Sequence, residues 1–142
     1  QLTFRSLKIM VCGSIGYRGG IDDIRKLYSF LEGKGFSIVN HLLQNKGMDY
    51  SGITDFRDKV ELSRQIVIQD LKYIEEIDVI IVIANGPSYG AAIEMFVAKK
   101  YGKKIILLAK DRVPTPWPIF FSDHRVTDEA ELVKLLDQLQ DQ

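Results

Sequence analysis

The feature that most constrains the fold is an unbroken apolar run, Val79 to Ala84 (VIIVIA). A strand without polar alternation is covered on both faces, which is typical of a parallel sheet. Two further apolar runs, Leu7–Cys12 and Lys104–Ala109, have the length of strands, and stretches with helical spacing lie between the three runs. This alternation predicts a layered α/β fold with right-handed crossovers.

The remaining segments complete this pattern. Phe36–Asn40 is predicted as a further strand. Predicted helices cover residues 24–33, about 65–74, 88–101 and 128–139. With four or five strands, the simplest arrangement is a flavodoxin-like or Rossmann-like parallel sheet of order about 2-1-3-4-5, with helices on both faces. The length of 142 residues fits a single domain over residues 1–142.

Composition argues against several functional classes. The 19 Lys and Arg balance the 19 Asp and Glu, unlike the charge of a basic nucleic-acid binder. One cysteine, Cys12, and two histidines, His41 and His124, argue against a disulfide and a Cys/His metal site. No apolar run approaches the ~20 residues that span a bilayer, and the N-terminus lacks a signal-peptide pattern. We expect a cytoplasmic protein with neither a membrane nor a nucleic-acid polymer as partner.

The predicted strand order selects two loops before any motif is considered. In this order strands one and three flank the topological switch point, where ligands bind at the carboxyl ends of the strands. The loops there are residues 13–20 and 85–90. Residues 44–59 form a connection well beyond the usual ~2–6 residues, and such connections are often lids. Residues 113–122 carry three prolines around Trp117 and are predicted to be extended and stiff.

Glu94 is the first candidate for chemistry. Ser88 is a suitable N-cap for the helix after strand three, and Glu94 lies on the second turn of that helix. A helix starting at the switch point would direct Glu94 into the crevice. The helix dipole favours the ionised carboxylate there, which suits a nucleophile or a general base. The alternative is a solvent-facing helix glutamate.

Asp70 is the second candidate. It lies four residues after Ile66 and four before Ile74, on or beside the apolar stripe of its helix. Burial would raise its pKa, as suits a general acid; the alternative is an edge residue that caps or pairs with a neighbour. Together Glu94 and Asp70 indicate glycosidic chemistry, since a retaining enzyme uses one carboxylate as nucleophile and one as acid/base.

The loop over residues 12–20 (CGSIGYRGG) is the third candidate. It follows a strand and opens a helix, so its amides could hold an anion, with Ser14 and Arg18 as further donors. The glycines do not form the dinucleotide fingerprint, and no Gly-Lys-Ser/Thr follows as in a P-loop. A tight turn is the alternative.

Three other residues have more than one interpretation each. Cys12 ends a strand and is predicted to be a buried small residue rather than a nucleophile. His41 ends strand two and either contacts a ligand or caps the strand. Trp117 either stacks on a base, lies in a subunit interface or covers its own loop.

These residues resemble the nucleoside 2-deoxyribosyltransferase superfamily, most closely its 2′-deoxynucleoside 5′-monophosphate N-hydrolases. The likeness covers Lys8 to about Lys110. Its elements are Cys12-Gly-Ser-Ile15 with the glycines that follow, His41, Gln69-Asp70-Leu71, Asp78-Val79, and Pro87-Ser88-Tyr89-Gly90 followed by Glu94.

The resemblance implies a role for each matching position. Glu94 would be the nucleophile that forms a 2-deoxyribosyl intermediate, and Asp70 would contact the sugar hydroxyl or transfer protons. Candidate substrate-binding residues are Gly13, Ser14, Ile15, Arg18, Gly20, His41, Ser88 and Gly90. It further implies no metal or organic cofactor, and a homodimer or larger assembly in which a neighbouring subunit helps to close the site.

Two positions distinguish branches of the superfamily. Transferases for unphosphorylated nucleosides usually carry an aspartate six residues before the nucleophile; here Ser88 stands there, and Ser88 with Arg18 favours a 5′-phosphate. The family often has a tyrosine two residues before Cys12, where this chain has Met10. Tyr17 is a candidate substitute.

The leading hypothesis is hydrolysis of the N-glycosidic bond of 2′-deoxynucleoside 5′-monophosphates. The alternatives are a deoxyribosyltransferase that moves the sugar between bases, and a non-catalytic nucleotide-binding module. A phosphoribohydrolase of the lysine-decarboxylase-like group ranks lower, because residues 86–94 do not match its Pro-Gly-Gly-x-Gly-Thr-x-x-Glu motif. We expect residues 45–58 and 113–122 to set base preference.

Overall fold

The computed structural model describes residues 6–16, 20–44 and 52–141. The strands in these ranges pair in parallel in the order β2-β1-β3-β4-β5, which confirms the predicted arrangement. They are β1 (Lys8–Cys12), β2 (Ser37–Ile38), β3 (Val79–Ile83), β4 (Lys104–Leu108) and β5 (His124–Val126).

Helices cover both faces of this sheet. They are α1 (Gly20–Gly33), α2 (His41–Gln44), α3 (Val60–Glu76), α4 (Tyr89–Lys100), α5 (Trp117–Phe121) and α6 (Glu129–Gln140). Residues of α1 and α6 pack against one face, around Ile9 and Val11. Residues of α3 and α4 pack against the other, around Met10 and Cys12. Successive strand residues point to opposite faces, so β1 supplies both cores.

The register of β1 and β3 explains where the two candidate loops meet. Cys12 lies opposite Val82, and both strands end within the next residue or two. Gly13 and Ser14 therefore emerge beside Ala84 and Asn85 at one edge of the sheet. This is the switch point expected from the strand order.

Three elements differ from the sequence-based expectations. The predicted strand at 36–40 is only two residues long, and a short helix begins at His41. The prediction that residues 113–122 are extended is wrong over 117–121, which form α5 with Pro118 in the first turn. A proline is tolerated there because its missing N–H has no helical partner to lose. The fifth strand, His124–Val126, had no predicted position.

Helix ends follow local chemistry. Ser88 and Asp128 accept hydrogen bonds from Ala91 and Glu131 and so cap α4 and α6. Within residues 6–16, 20–44 and 52–141, none of the helices combines the length and apolar character needed to cross a membrane.

Candidate active site

An open cavity of about 1050 Å³ lies at the carboxyl edge of the sheet, on the α3–α4 face. It is bounded by the loops after β1 and β3, by the segment before α3 and by the first turns of α4. Its described lining residues are Gly13, Ser14, Ile15, Gly16, Ile53, Thr54, Phe56, Ser63, Ile66, Val67, Asp70, Pro87, Ser88, Tyr89, Gly90, Ala91, Ala92 and Glu94. Seven predicted site residues are among them: Gly13, Ser14, Ile15, Asp70, Ser88, Gly90 and Glu94.

Glu94 lines this cavity from the second turn of α4. Ser88 fixes the start of α4 by accepting a hydrogen bond from Ala91 N–H at 3.1 Å, so Glu94 comes one and a half turns later. The residue is half-buried as a whole, but its Oε2 atom is buried and has no hydrogen-bond partner among the described residues. A buried polar atom without a partner destabilises the fold, so its presence indicates a role in function.

Gly90 keeps the space beside this carboxyl open. A Cβ atom at Gly90 would lie 3.9 Å from Glu94 Oε1 and 3.9 Å from Ser88 Oγ. The carboxyl and the serine hydroxyl thus border the same small volume.

The electrostatics of Glu94 reverse the sequence-based expectation. Burial, and then the charge of Asp70, raise the pKa of Glu94 from 4.5 to about 8. The helix dipole favours the ionised form by at most ~2 kcal/mol. Removal of the carboxylate from water beside a second carboxylate outweighs it. The resting carboxyl is therefore mostly protonated at neutral pH.

Asp70 and Cys12 complete this cluster. Asp70 is half-buried on α3, lines the cavity and acts electrostatically on Glu94. Cys12 is 2% exposed, and its pKa is raised by burial and by the charges of Glu94 and Asp70. A thiol with a raised pKa is a poor nucleophile. Burial of Cys12 as a small side chain is confirmed.

The start of the glycine loop is held by Asn85. Ser14 is 2% exposed, and its N–H donates to Asn85 Oδ1 at 2.9 Å. A Cβ at Gly20 would be 1.6 Å from the carbonyl oxygen of Ser14, so only glycine fits at that position. Gly20 shapes the loop and does not line the cavity. Arg18 and Tyr17 lie outside the described residues.

His41 does not line the described cavity. It is 1% exposed, and burial lowers its pKa to about 4. Its Nδ1 is 2.8 Å from the hydroxyl oxygen of Tyr28, which also accepts a hydrogen bond from Val11 N–H at 2.9 Å. The pair joins α1 to the ends of β1 and β2. Trp117 is 68% exposed on α5 and is also absent from the cavity lining.

Sequence reasoning did not single out several lining residues. Ser63, Ile66 and Val67 precede Asp70 by seven, four and three residues, which places them on the same face of α3. The same spacing, counted back from Asp70 in the sequence, could have identified these three residues. Thr54 and Phe56 come from the segment predicted to be a lid; its residues 45–51 lie outside the described part of the chain.

Solved structures of known proteins are similar to this chain. No family model and no curated protein matches the chain. The solved structure of a 2-deoxyribosyltransferase from Bacillus psychrosaccharolyticus matches 88% of this chain and 89% of its own, with a TM-score of 0.68 and 16% identity. CMP N-glycosidase BcmB from Clostridium botulinum matches 92% of this chain and 98% of its own, with a TM-score of 0.51 and 25% identity.

These structures confirm the resemblance noted in the sequence. They are a deoxyribosyltransferase and a nucleotide N-glycosidase, which supports nucleoside glycosyl transfer or cleavage in general. The similarity to the transferase, at 16% identity, shows the fold alone.

Proposed function

We propose that the protein hydrolyses the N-glycosidic bond of 2′-deoxynucleoside 5′-monophosphates. The observation that carries the proposal concerns Glu94, which lines the cavity and whose buried Oε2 atom has no hydrogen-bond partner among the described residues. A carboxyl that only stabilised the fold would have a partner, whereas a nucleophile must keep one oxygen free for the reacting carbon.

The proposed reaction has two displacement steps. In the first, an ionised oxygen of Glu94 bonds to C1′ of the sugar, and the bond from C1′ to the base nitrogen breaks. The base leaves with the electron pair and takes up a proton. In the second, water attacks C1′, loses a proton and releases 2-deoxyribose 5-phosphate and the Glu94 carboxylate. Asp70 lines the same cavity, and in this proposal it contacts the sugar or transfers a proton in either step.

The assignment to a 5′-monophosphate rests on two serines of the cavity lining. They are Ser14 and Ser88. A hydroxyl donates to a phosphate oxygen, whereas a carboxylate at the position of Ser88 would repel it. The neighbour with 25% identity is a CMP N-glycosidase, which acts on a nucleotide.

The decisive experiment is measurement of free base release from a substrate panel. The panel contains the four common 2′-deoxynucleosides, their 5′-monophosphates and the matching ribonucleotides, with Glu94→Ala as the control for contaminating activity. We expect release from the deoxynucleoside monophosphates and loss of it in the variant. Release from nucleosides alone, or equal release by Glu94→Ala, would refute the proposal.

A deoxyribosyltransferase is the second candidate, favoured by the similarity in fold to the Bacillus enzyme. Both reactions use the same covalent intermediate, and only the acceptor differs. Incubation with a deoxynucleoside and a second free base separates them, because a new nucleoside forms only by transfer. Saturable nucleotide binding without release or transfer would indicate a binding module.

We also propose that the protein is a homodimer that uses an apolar surface on α4 and α5. This surface consists of Tyr89, Ile93, Phe96, Trp117 and Phe120, with Tyr89 94% and Phe120 75% exposed. At roughly 150–250 Å² per aromatic side chain, the exposed area approaches the roughly 800 Å² per partner of a standard interface. Tyr89 also lines the cavity, so a partner there would lie at its mouth. Sedimentation equilibrium tests this; a monomer at micromolar concentration would contradict it.

A further inference from the structure

The side chain of Asn85 joins three segments at the switch point. Its Oδ1 accepts a hydrogen bond from Ser14 N–H at 2.9 Å, and its Nδ2 donates to Asp23 Oδ2 at 3.1 Å. Asn85 follows β3, Ser14 follows β1, and Asp23 lies in the first turn of α1. We propose that Asn85 is a positioning residue that holds residues 13–16, the start of the glycine loop, in the shape that receives the phosphate end of the substrate.

The loop packs closely around this amide. A Cβ at Gly13 would lie 3.2 Å from Asn85 Oδ1, and one at Gly20 would lie 3.2 Å from Asn85 Nδ2. Glycines thus stand on both sides of the Asn85 amide, and a larger residue at either position would displace it. The absence of side chains there lets the amide reach the Ser14 backbone.

The hydrogen bond also decides which loop groups face a ligand. The N–H of Ser14 is directed at Asn85 and is not available to an anion in the cavity. The Ser14 hydroxyl and the following amides are left for that role. Movement of Asn85 would free the Ser14 amide and shift these donors together.

The hydrogen bonds of Asn85 require one acceptor and one donor in the same side chain. Position 85 must accept from a backbone N–H and donate to a carboxylate, and of similarly shaped side chains only an amide does both. Asn85→Asp keeps the shape but loses the donor and faces the Asp23 carboxylate. Because the inference rests on the proposed function, the first readout is kinetic. We expect Asn85→Asp to raise KM for the deoxynucleoside monophosphate by about tenfold, with kcat changed much less.

A second substitution tests the hydrogen bond itself. In Asn85→Asp combined with Asp23→Asn, donor and acceptor are exchanged. The amide introduced at position 23 donates to one oxygen of the carboxylate introduced at position 85, while the other oxygen accepts from Ser14. We expect KM to return to within about threefold of the wild type. The matched control is Asp22→Asn, a neighbouring exposed aspartate that pairs with Arg25 at 3.6 Å. Added to Asn85→Asp, it should give no recovery.

The outcomes separate this inference from the proposed function. Unchanged KM in Asn85→Asp, or equal recovery with Asp22→Asn, would overturn the positioning role while leaving the wild-type activity intact. If the wild type releases no base, hydrogen exchange at Ser14 still tests the network: we expect a protected amide that exchanges at least about tenfold faster in Asn85→Asp. If that variant does not fold, restored folding in the Asp23→Asn double variant supports the inference, and an unfolded double variant overturns it.

Discussion

Glu94 and His41 are two buried titratable side chains on opposite sides of one sheet, and burial affects them in the same way. Each is driven toward its neutral form: the pKa of Glu94 rises to about 8 and that of His41 falls to about 4. Their surroundings differ. His41 has a hydrogen-bonded partner in Tyr28, whereas Glu94 lines a cavity and its Oε2 atom has no partner among the described residues.

The difference separates a structural role from a functional one. The Tyr28 hydroxyl links His41 to the backbone of β1, so the charge lost on burial is offset by hydrogen bonds. Glu94 is buried beside the charge of Asp70 without such an offset. A fold tolerates this cost where the group reacts. Burial and a shifted pKa are common to both residues, and only the free oxygen at a cavity marks the reactive one.

The largest expected effect is an opposite response of activity and stability to Glu94→Gln. Loss of the nucleophile should lower turnover at least ~10³-fold. Removal of the buried carboxyl should raise the free energy of unfolding at pH 8 by on the order of 1–3 kcal/mol. Base release and urea denaturation measure the two quantities.

Glu129→Gln is the matched control for this trade-off. Its carboxylate is bound to Lys110 Nζ at 2.6 Å, and that hydrogen bond lowers its pKa. We expect turnover within about twofold of the wild type and a small loss of stability, as for an exposed ion pair. If Glu94→Gln behaves like Glu129→Gln, the distinction between the two carboxylates fails.

Most of the fold could be predicted from the sequence because β1, β3 and β4 are continuous apolar runs. The prediction for α5 failed because a proline, which breaks the interior of a helix, is accepted in its first turn. Sequence reasoning did not locate β5, whose three residues include only one that is buried.

For the site, the sequence placed residues whose position follows from the pattern of their own element. Ser14 and Ser88 lie at element ends, Glu94 and Asp70 lie within helices, and the cavity brings the four together. It missed Asn85, whose partners are 62 and 71 residues away in the chain. It also gave Glu94 the wrong preferred charge state, because the helix dipole is a local property while desolvation by α3 and the sheet is not.

The pH dependence of kcat/KM tests whether the reaction depends on ionisation of Glu94. The free enzyme must ionise Glu94 to react, so kcat/KM should rise about tenfold per pH unit below a midpoint near 8. Asp70→Asn removes the second cause of the raised pKa and should move the midpoint to lower pH, still above 4.5 because burial remains. The readout is the midpoint, since the variant's absolute rate also falls if Asp70 transfers protons. A profile that is flat between about pH 6 and 9 would contradict the assignment.

The smallest net effect in the wild type is in the pH dependence of stability, because there the two groups oppose each other. The unfolded chain protonates His41 near pH 6.5 but the folded chain only near 4, so His41 makes stability fall as pH decreases through that window. Glu94 holds its proton up to about pH 8 in the folded state, so it makes stability fall as pH increases from 4.5. The two slopes partly cancel between pH 4.5 and 6.5.

Glu94→Gln removes the pH dependence of stability that is due to Glu94 and leaves the part that is due to His41. In this variant the free energy of unfolding should rise by about 3 kcal/mol from pH 4 to 6.5 through His41, beyond the change due to other groups. His41→Gln in the same background keeps an acceptor for the Tyr28 hydroxyl and should flatten that rise. Urea denaturation at half-unit pH steps measures both. An equal rise with and without His41 would mean that the buried histidine does not carry the acid sensitivity and that burial does not keep it neutral.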